Sequence, residues 1–178
     1  MSFDKAFAVT MASEGGYGVV DGHETYMGID RTKHSNWHGW VIIDDCLHQG
    51  KPLSAQPDLA DLVREFYRDE FWMPLRCHQI DQLNEAVAEE LFESSVNCGP
   101  GNGVKFLQKA LNVLNLQGKL YRDLKVDGVV GSKTIDAIRV CLRHRPARRL
   151  VKCQNGEQYL HYTLWPGHEK FSGVFDRT

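Results

Sequence analysis

The run from Pro57 to Pro74, "PDLADLVREFYRDEFWMP", restricts the fold more than any other stretch of the chain. Leu59, Leu62, Val63, Phe66, Tyr67 and Phe71 recur at helical spacing and form one apolar face, with charged residues around the rest. Proline suits the first turn of a helix, where a missing N–H costs nothing, and it stops a helix further along. Such a face must be covered by similar elements, and the sequence supplies them. Phe3, Phe7 and Met11 predict a short helix over 2–14 with Ser2 as its N-cap. Leu83, Val87, Leu91 and Phe92 mark another, ending in "NCGPGNG", a cluster expected to be non-helical. Val104, Leu107, Leu111 and Leu114 mark a fourth. After "VDGVVGSKT", in which Gly128 and Gly131 are expected to set a tight turn, Ser132 is the expected cap of a helix carrying Ile135, Ile138 and Leu142. Pro146 interrupts "RHRPARR", and Tyr159, Tyr162 and Trp165 give a last aromatic face. Residues 15–30 are glycine-rich and read as a loop with room for a small hairpin, while "HSNWHGWVIIDD" is ambiguous. The expected fold is mainly α (α+β): a helical bundle with a small irregular or β-containing N-terminal region.

A chain of 178 residues with 42% hydrophobic and 25% charged residues can bury a real core as one domain, or as one with a smaller lobe. No apolar run approaches the length of a membrane-spanning helix, so stable membrane insertion is not expected. The five cysteines (46, 77, 98, 141, 153) are odd in number and lack CxxC spacing, which favours reduced thiols. The opening "MSFDKAFAVTMASEGG" has no basic leader and carries Asp4 and Lys5 in its apolar stretch, a poor signal peptide. The net charge of −2 conceals a division: residues 1–98 hold 7 Lys+Arg against 17 Asp+Glu, and residues 99–178 hold 14 against 6. Either the second half faces a polyanion, or the halves attract each other.

Glu14 raises a chemical question. It follows an apolar helical segment and precedes Gly15 and Gly16, which read as a helix stop. The negative end of a helix disfavours a second negative charge, so a carboxyl group there either tolerates a small penalty or keeps its proton. Breaking a glycosidic bond needs such a protonated carboxyl group to donate to the leaving oxygen, and a second group to steady water or the cationic transition state. Asp21 and Thr25, in the loop that follows, are placed to fold back opposite Glu14.

These residues sit within a wider pattern. "EGGY", a loop ending in "ETYMGID", "FYRDEFWMPLRCHQI", "LFESSVNCGPGNGVKFLQKALNVL", "VDGVVGSKTIDAI" and "FSGVFDR" occur in that order, and together they resemble the signature of the glycoside hydrolase family 108 N-acetylmuramidases. The part from "LQKALNVL" onward also resembles small peptidoglycan-binding modules. The resemblance implies a lysozyme-like fold, with a catalytic lobe over residues 1–95 and a helical peptidoglycan-binding-like lobe over residues 96–178. It implies cleavage of the β-1,4 bond between N-acetylmuramic acid and N-acetylglucosamine, with lysis of the bacterial wall. Glu14 matches the catalytic glutamate, Asp21 the aspartate of the active-site loop, and Thr25 the threonine that holds water in related phage lysozymes, whose analogy points to an inverting course. Tyr17, Glu24, Tyr26 and Asn97 are the expected substrate-binding residues. The loop between Glu14 and Glu24 is about three residues shorter than the family pattern, His23 stands where a glycine is common, and Glu24 competes with Asp21 as the partner carboxylate.

The implied partner is the peptidoglycan glycan strand, met by a monomer made in the cytoplasm that acts in the periplasm or wall after release, as a phage endolysin or an injected effector. The rival readings are an inactive wall-binding protein, a chitinase and a lytic transglycosylase. No cofactor is expected. His34 and His38 have an i, i+4 spacing, but no H-E-x-x-H pattern follows and Gly39 disfavours a helix, so a metal is not expected either. Cys98 lacks a paired histidine and is a poor nucleophile candidate. Trp37, Trp40 and Trp72 suit either a core or sugar stacking. Arg143, Arg145, Arg148, Arg149 and Lys152 make either a solvated helix end or an attractor for the anionic envelope. No nucleic-acid motif is present.

Overall fold

The computed structural model of the chain describes residues 2–12, 15–20 and 22–164. The fold is mainly α, with a small antiparallel sheet near the N-terminus, as the sequence leads one to expect. The chain divides between residues 70 and 71 into two compact units. Packing therefore divides the chain at 70/71, whereas the motifs divide it at 95/96.

In the first unit, α1 (Ser2–Met11) leads to β1 (Tyr17–Val20), β2 (His23–Tyr26) and β3 (Ile29–Asp30), a three-stranded sheet in the order β1-β2-β3. Asp-Gly between extended runs is a favoured hairpin sequence, and Gly22 takes the left-handed φ of +79° that such a turn needs. The ambiguous segment is a helix, α2 (Gly39–Gln49), because Trp40, Ile43 and Cys46 recur on one buried face and Gly50 (φ 65°) ends it in the left-handed conformation. Helix α3 (Pro57–Tyr67) starts at its proline as expected. Its apolar face divides: Leu59, Val63 and Tyr67 are core, while Leu62 and Phe66 are half-buried at its edge. A π turn, Arg68–Trp72, replaces the regular helix expected up to Pro74.

The second unit holds α4 (Cys77–Asp81), α5 (Glu85–Cys98), α6 (Pro100–Leu114), α7 (Ser132–His144) and α8 (Ala147–Thr163). Asn84 caps α5 by accepting from the Val87 amide at 3.3 Å. Three expectations need correction. The "PGNG" cluster is the first turn of α6: Gly99 (φ 87°, ψ 148°) breaks the chain direction, and Pro100 restarts a helix at once. Gly103 is required there, since a Cβ would lie 2.2 Å from Ser95 Oγ and 2.9 Å from the Ser95 backbone, so α5 and α6 cross in close contact. Ser132 opens α7 as its first residue, and Gly131, which has no side chain to offer, is the N-cap. Gly131 is extended (φ −93°, ψ −179°), so only Gly128 (φ +77°) makes a left-handed turn.

Between α6 and α7 the chain has no regular structure, and α6 with its C-cap residue holds it by three side-chain amides, at positions 108, 112 and 115. Buried Gln108 donates to Asp127 Oδ1 (2.9 Å) and the Val129 carbonyl (3.1 Å) and accepts from the Gly128 amide (3.0 Å). Asn112 donates to the Leu124 carbonyl (2.9 Å) and accepts from its amide (2.8 Å). Asn115 accepts from the Gly118 amide (2.9 Å) and donates to Asp123. The five cysteines are unpaired.

Candidate functional site

The hairpin sorts the candidate residues by face. Cross-strand partners are Tyr17↔Tyr26, Gly18↔Thr25, Val19↔Glu24 and Val20↔His23, then Thr25↔Asp30 and Tyr26↔Ile29. Partners share a face and successive residues alternate. Tyr17, Val19, Glu24, Tyr26 and Ile29 thus lie on one side, and His23, Thr25 and Asp30 on the other. The first side meets the core of its unit at its β3 end, where Ile29 is 1% exposed and the half-buried Tyr26 ring stacks on Trp37 with centroids 6.3 Å apart, while Val19 at the other end is exposed. Tyr67 donates from the next layer to the Met27 carbonyl (2.8 Å), fixing the turn between β2 and β3.

Glu24 is the hub of that side. It accepts from the Tyr17 hydroxyl at 2.7 Å and from Arg31 Nη1 at 3.0 Å. Arg31 also grips Asp44 of α2 with two parallel bonds of 2.7 Å, and its guanidinium lies 5.2 Å from the centroid of the Trp40 ring. Hydrogen bonding to Arg31 holds the Asp44 carboxyl below its ordinary range, and the same pair pushes Arg31 up. Tyr17 is pushed up because its phenol donates to the Glu24 carboxylate. The network ties hairpin to helix. Glu24 serves in it as a bracing acceptor.

The opposite side carries Thr25, whose hydroxyl is 3.5 Å from the Gly18 carbonyl, at the limit of a hydrogen bond and so with bonding capacity to spare. Asp30 accepts from the Thr32 amide (2.8 Å) and hydroxyl (2.6 Å), which lowers its pKa, and Lys33 is 3.7 Å away. His23 Nδ1 is 3.3 Å from the Thr32 hydroxyl.

The structure thus gathers Tyr17, Glu24 and Tyr26 on one face and sets Thr25 on the other. Glu14 and Asp21 lie outside the described residues, as does Trp165. Asn97 belongs to α5 in the second unit and is half-buried. Trp40 and Trp72 are core, at 2% and 4% exposure. Trp37 is half-exposed, and with His34 and Phe66 it lines a cleft of about 410 Å3 in the first unit. Its ring lies over Gly39, where a Cβ would come within 2.2 Å of it. The sequence reading missed Arg31, whose only signal was its position directly after "ETYMGID". Among the described residues no group of three His, Cys, Asp or Glu side chains gathers as metal ligands, and no helix is long and apolar enough to cross a membrane. Burial pushes the Cys98 thiol up, which opposes a nucleophilic role.

Comparison with known proteins finds two family matches along the chain. Residues 7–99, more than half of its length, match the family described as Glycosyl hydrolase 108, and residues 102–167 match one described as a Predicted Peptidoglycan domain. No curated protein matches the chain. Among solved structures it is similar to that of Brucella abortus SagA, with 22% identity and a TM-score of 0.67 over 99% of this chain and 88% of that one. At that identity the likeness concerns the fold.

Proposed function

We propose that this chain, which belongs to the glycosyl hydrolase 108 family, hydrolyses the β-1,4 bond between N-acetylmuramic acid and N-acetylglucosamine in peptidoglycan and so opens the bacterial wall. Family membership makes it a glycoside hydrolase, and the domain matched at residues 102–167 makes peptidoglycan its partner. The observation that carries the reading is this order on one chain, hydrolase match first and peptidoglycan match immediately after. In this reading residues 1–95 carry the cleavage chemistry and residues 96–178 hold the wall.

Glu14 is the general acid. Its carboxyl proton passes to the O4 leaving oxygen of N-acetylglucosamine as the bond to C1 of N-acetylmuramic acid breaks. Asp21 and Thr25 orient the water that attacks C1, and Asp21 takes the proton which that water releases. The spare bonding capacity of the Thr25 hydroxyl supports its part. Tyr17 and Glu24 act by holding the hairpin in shape, through Arg31 and Asp44. Glycan contact by Tyr26 in the first unit and, separately, by Asn97 in the second is proposed from the family resemblance. The test is Glu14→Gln assayed beside the parent on purified peptidoglycan. The variant is expected to lose at least about a hundredfold in rate at unchanged Tm. A variant as fast as the parent removes Glu14 from the chemistry.

A further inference from the structure

The second unit contains a groove of about 850 Å3 that the cleavage chemistry does not use. Its floor is apolar, from Tyr121, Leu124, Val129, Ala137 and Val140, and its rim bears Arg122, Lys125 and Lys133. Val129 is 63% exposed there. The carboxylates around the groove are already engaged: Asp127 accepts from Gln108 and the Val129 amide, Asp123 from Asn115, and Asp136 pairs with Arg139 at 2.6 Å. Among the described residues Arg122, Lys125 and Lys133 make no side-chain hydrogen bond or ion pair, and all three are exposed. Lys125 feels Asp127 only at a distance. The groove therefore offers three cations, without a bonded partner among the described residues, over an apolar floor. Its lining also carries the negative charges of Asp123 and Asp127, whose oxygens are turned to amide donors. The amides of Gln108, Asn112 and Asn115 hold the loop that shapes it, so little ordering is needed on binding.

Resting on the reading of peptidoglycan as substrate, we infer that this groove binds the carboxylate-bearing peptide stem of the wall. The glycan backbone is the poorer match: its sugars present hydroxyl and acetamido groups, and the lactyl carboxyl of N-acetylmuramic acid is consumed in the amide bond to the stem. The stem carries the free carboxylates, interleaved with the aliphatic side chains of alanine and diaminopimelate. Carboxylates match Arg122, Lys125 and Lys133 by charge-assisted hydrogen bonding, and the aliphatic parts match Val129 and Leu124.

The test is a titration of the full chain with a fluorescently labelled stem tetrapeptide, beside the same peptide with its carboxyl groups amidated. The combined variant Arg122→Glu, Lys125→Glu, Lys133→Glu changes only exposed side chains, and its Tm checks its fold. The parent is expected to bind the free-acid peptide at least about tenfold more tightly than the variant does, and to prefer it over the amidated form. Equal binding by parent and variant, equal binding of the two peptides, or no saturable binding at millimolar peptide overturns the inference. Release of reducing ends from peptide-free glycan strands is measured in parallel. Cleavage without stem binding defeats the groove alone, and stem binding without cleavage defeats the muramidase reading alone.

Discussion

Glu90 is a carboxyl group whose surroundings keep it neutral. Burial in α5, aided by the charge of Glu93, pushes it up to about 8, while the Asn155 amide, turned to donate at 2.6 and 2.7 Å, opposes the shift. Its folded pKa lies above the ordinary value of 4.5, so between these two the native state holds a proton that the unfolded chain has released. Stability must then fall as pH rises from about 5 to about 8. Thermal unfolding at those two pH values should show a larger loss in the parent than in Glu90→Gln. Parallel losses would show that Glu90 ionises freely in the fold. Arg31 is the second informative residue. Its pairs with Glu24 and Asp44 are partly exposed, at 31%/35% and 31%/51%, so screening limits what they add. Arg31→Ala is expected to cost about 1–2 kcal/mol in urea unfolding. Arg31→Lys keeps the charge but not the two-pronged grip on Asp44, and should recover less than half of that. Full recovery by lysine would mean that charge alone holds hairpin to helix.

At the scale of elements, the crossing of α5 and α6 depends on one missing side chain. Gly103→Ala sets a Cβ against the Ser95 backbone, and the helices must separate, at about 1–3 kcal/mol despite the better helix propensity of alanine. Gly101→Ala, two residues earlier in the same helix with nothing within 4 Å, should be neutral or slightly stabilising. A Gly103→Ala protein as stable as the parent would contradict the close crossing. These helices also show what the sequence makes legible. Periodicity reveals α3, α5, α6 and α7, because each lays one apolar face on a core. It misses the start of α6, since "PGNG" reads as a breaker until Pro100 is seen to suit a first turn. It is silent on α2, where the Val41-Ile42-Ile43 run suits strand or helix and only the burial of Trp40, Ile43 and Cys46 decides. The candidate site divides in the same way. Local motifs mark Tyr17, Glu24, Thr25 and Tyr26, but the face on which each stands follows from strand register. The Arg31–Asp44 grip spans thirteen positions and two elements, which no local pattern encodes.

For the whole molecule, an acidic first half and a basic second half are laid out along the chain in the order of the two matched families. Under the proposed function, a basic part of the chain would draw in an insoluble anionic substrate by long-range attraction and raise its local concentration. The direct experiment is a digest of purified peptidoglycan by the parent chain, with mass and end-group analysis of the released fragments. Muramidase hydrolysis leaves N-acetylmuramic acid at new reducing ends, and that is the expected product. Fragments ending in 1,6-anhydro sugar, fragments ending in reducing N-acetylglucosamine, or no fragments at all would each refute it.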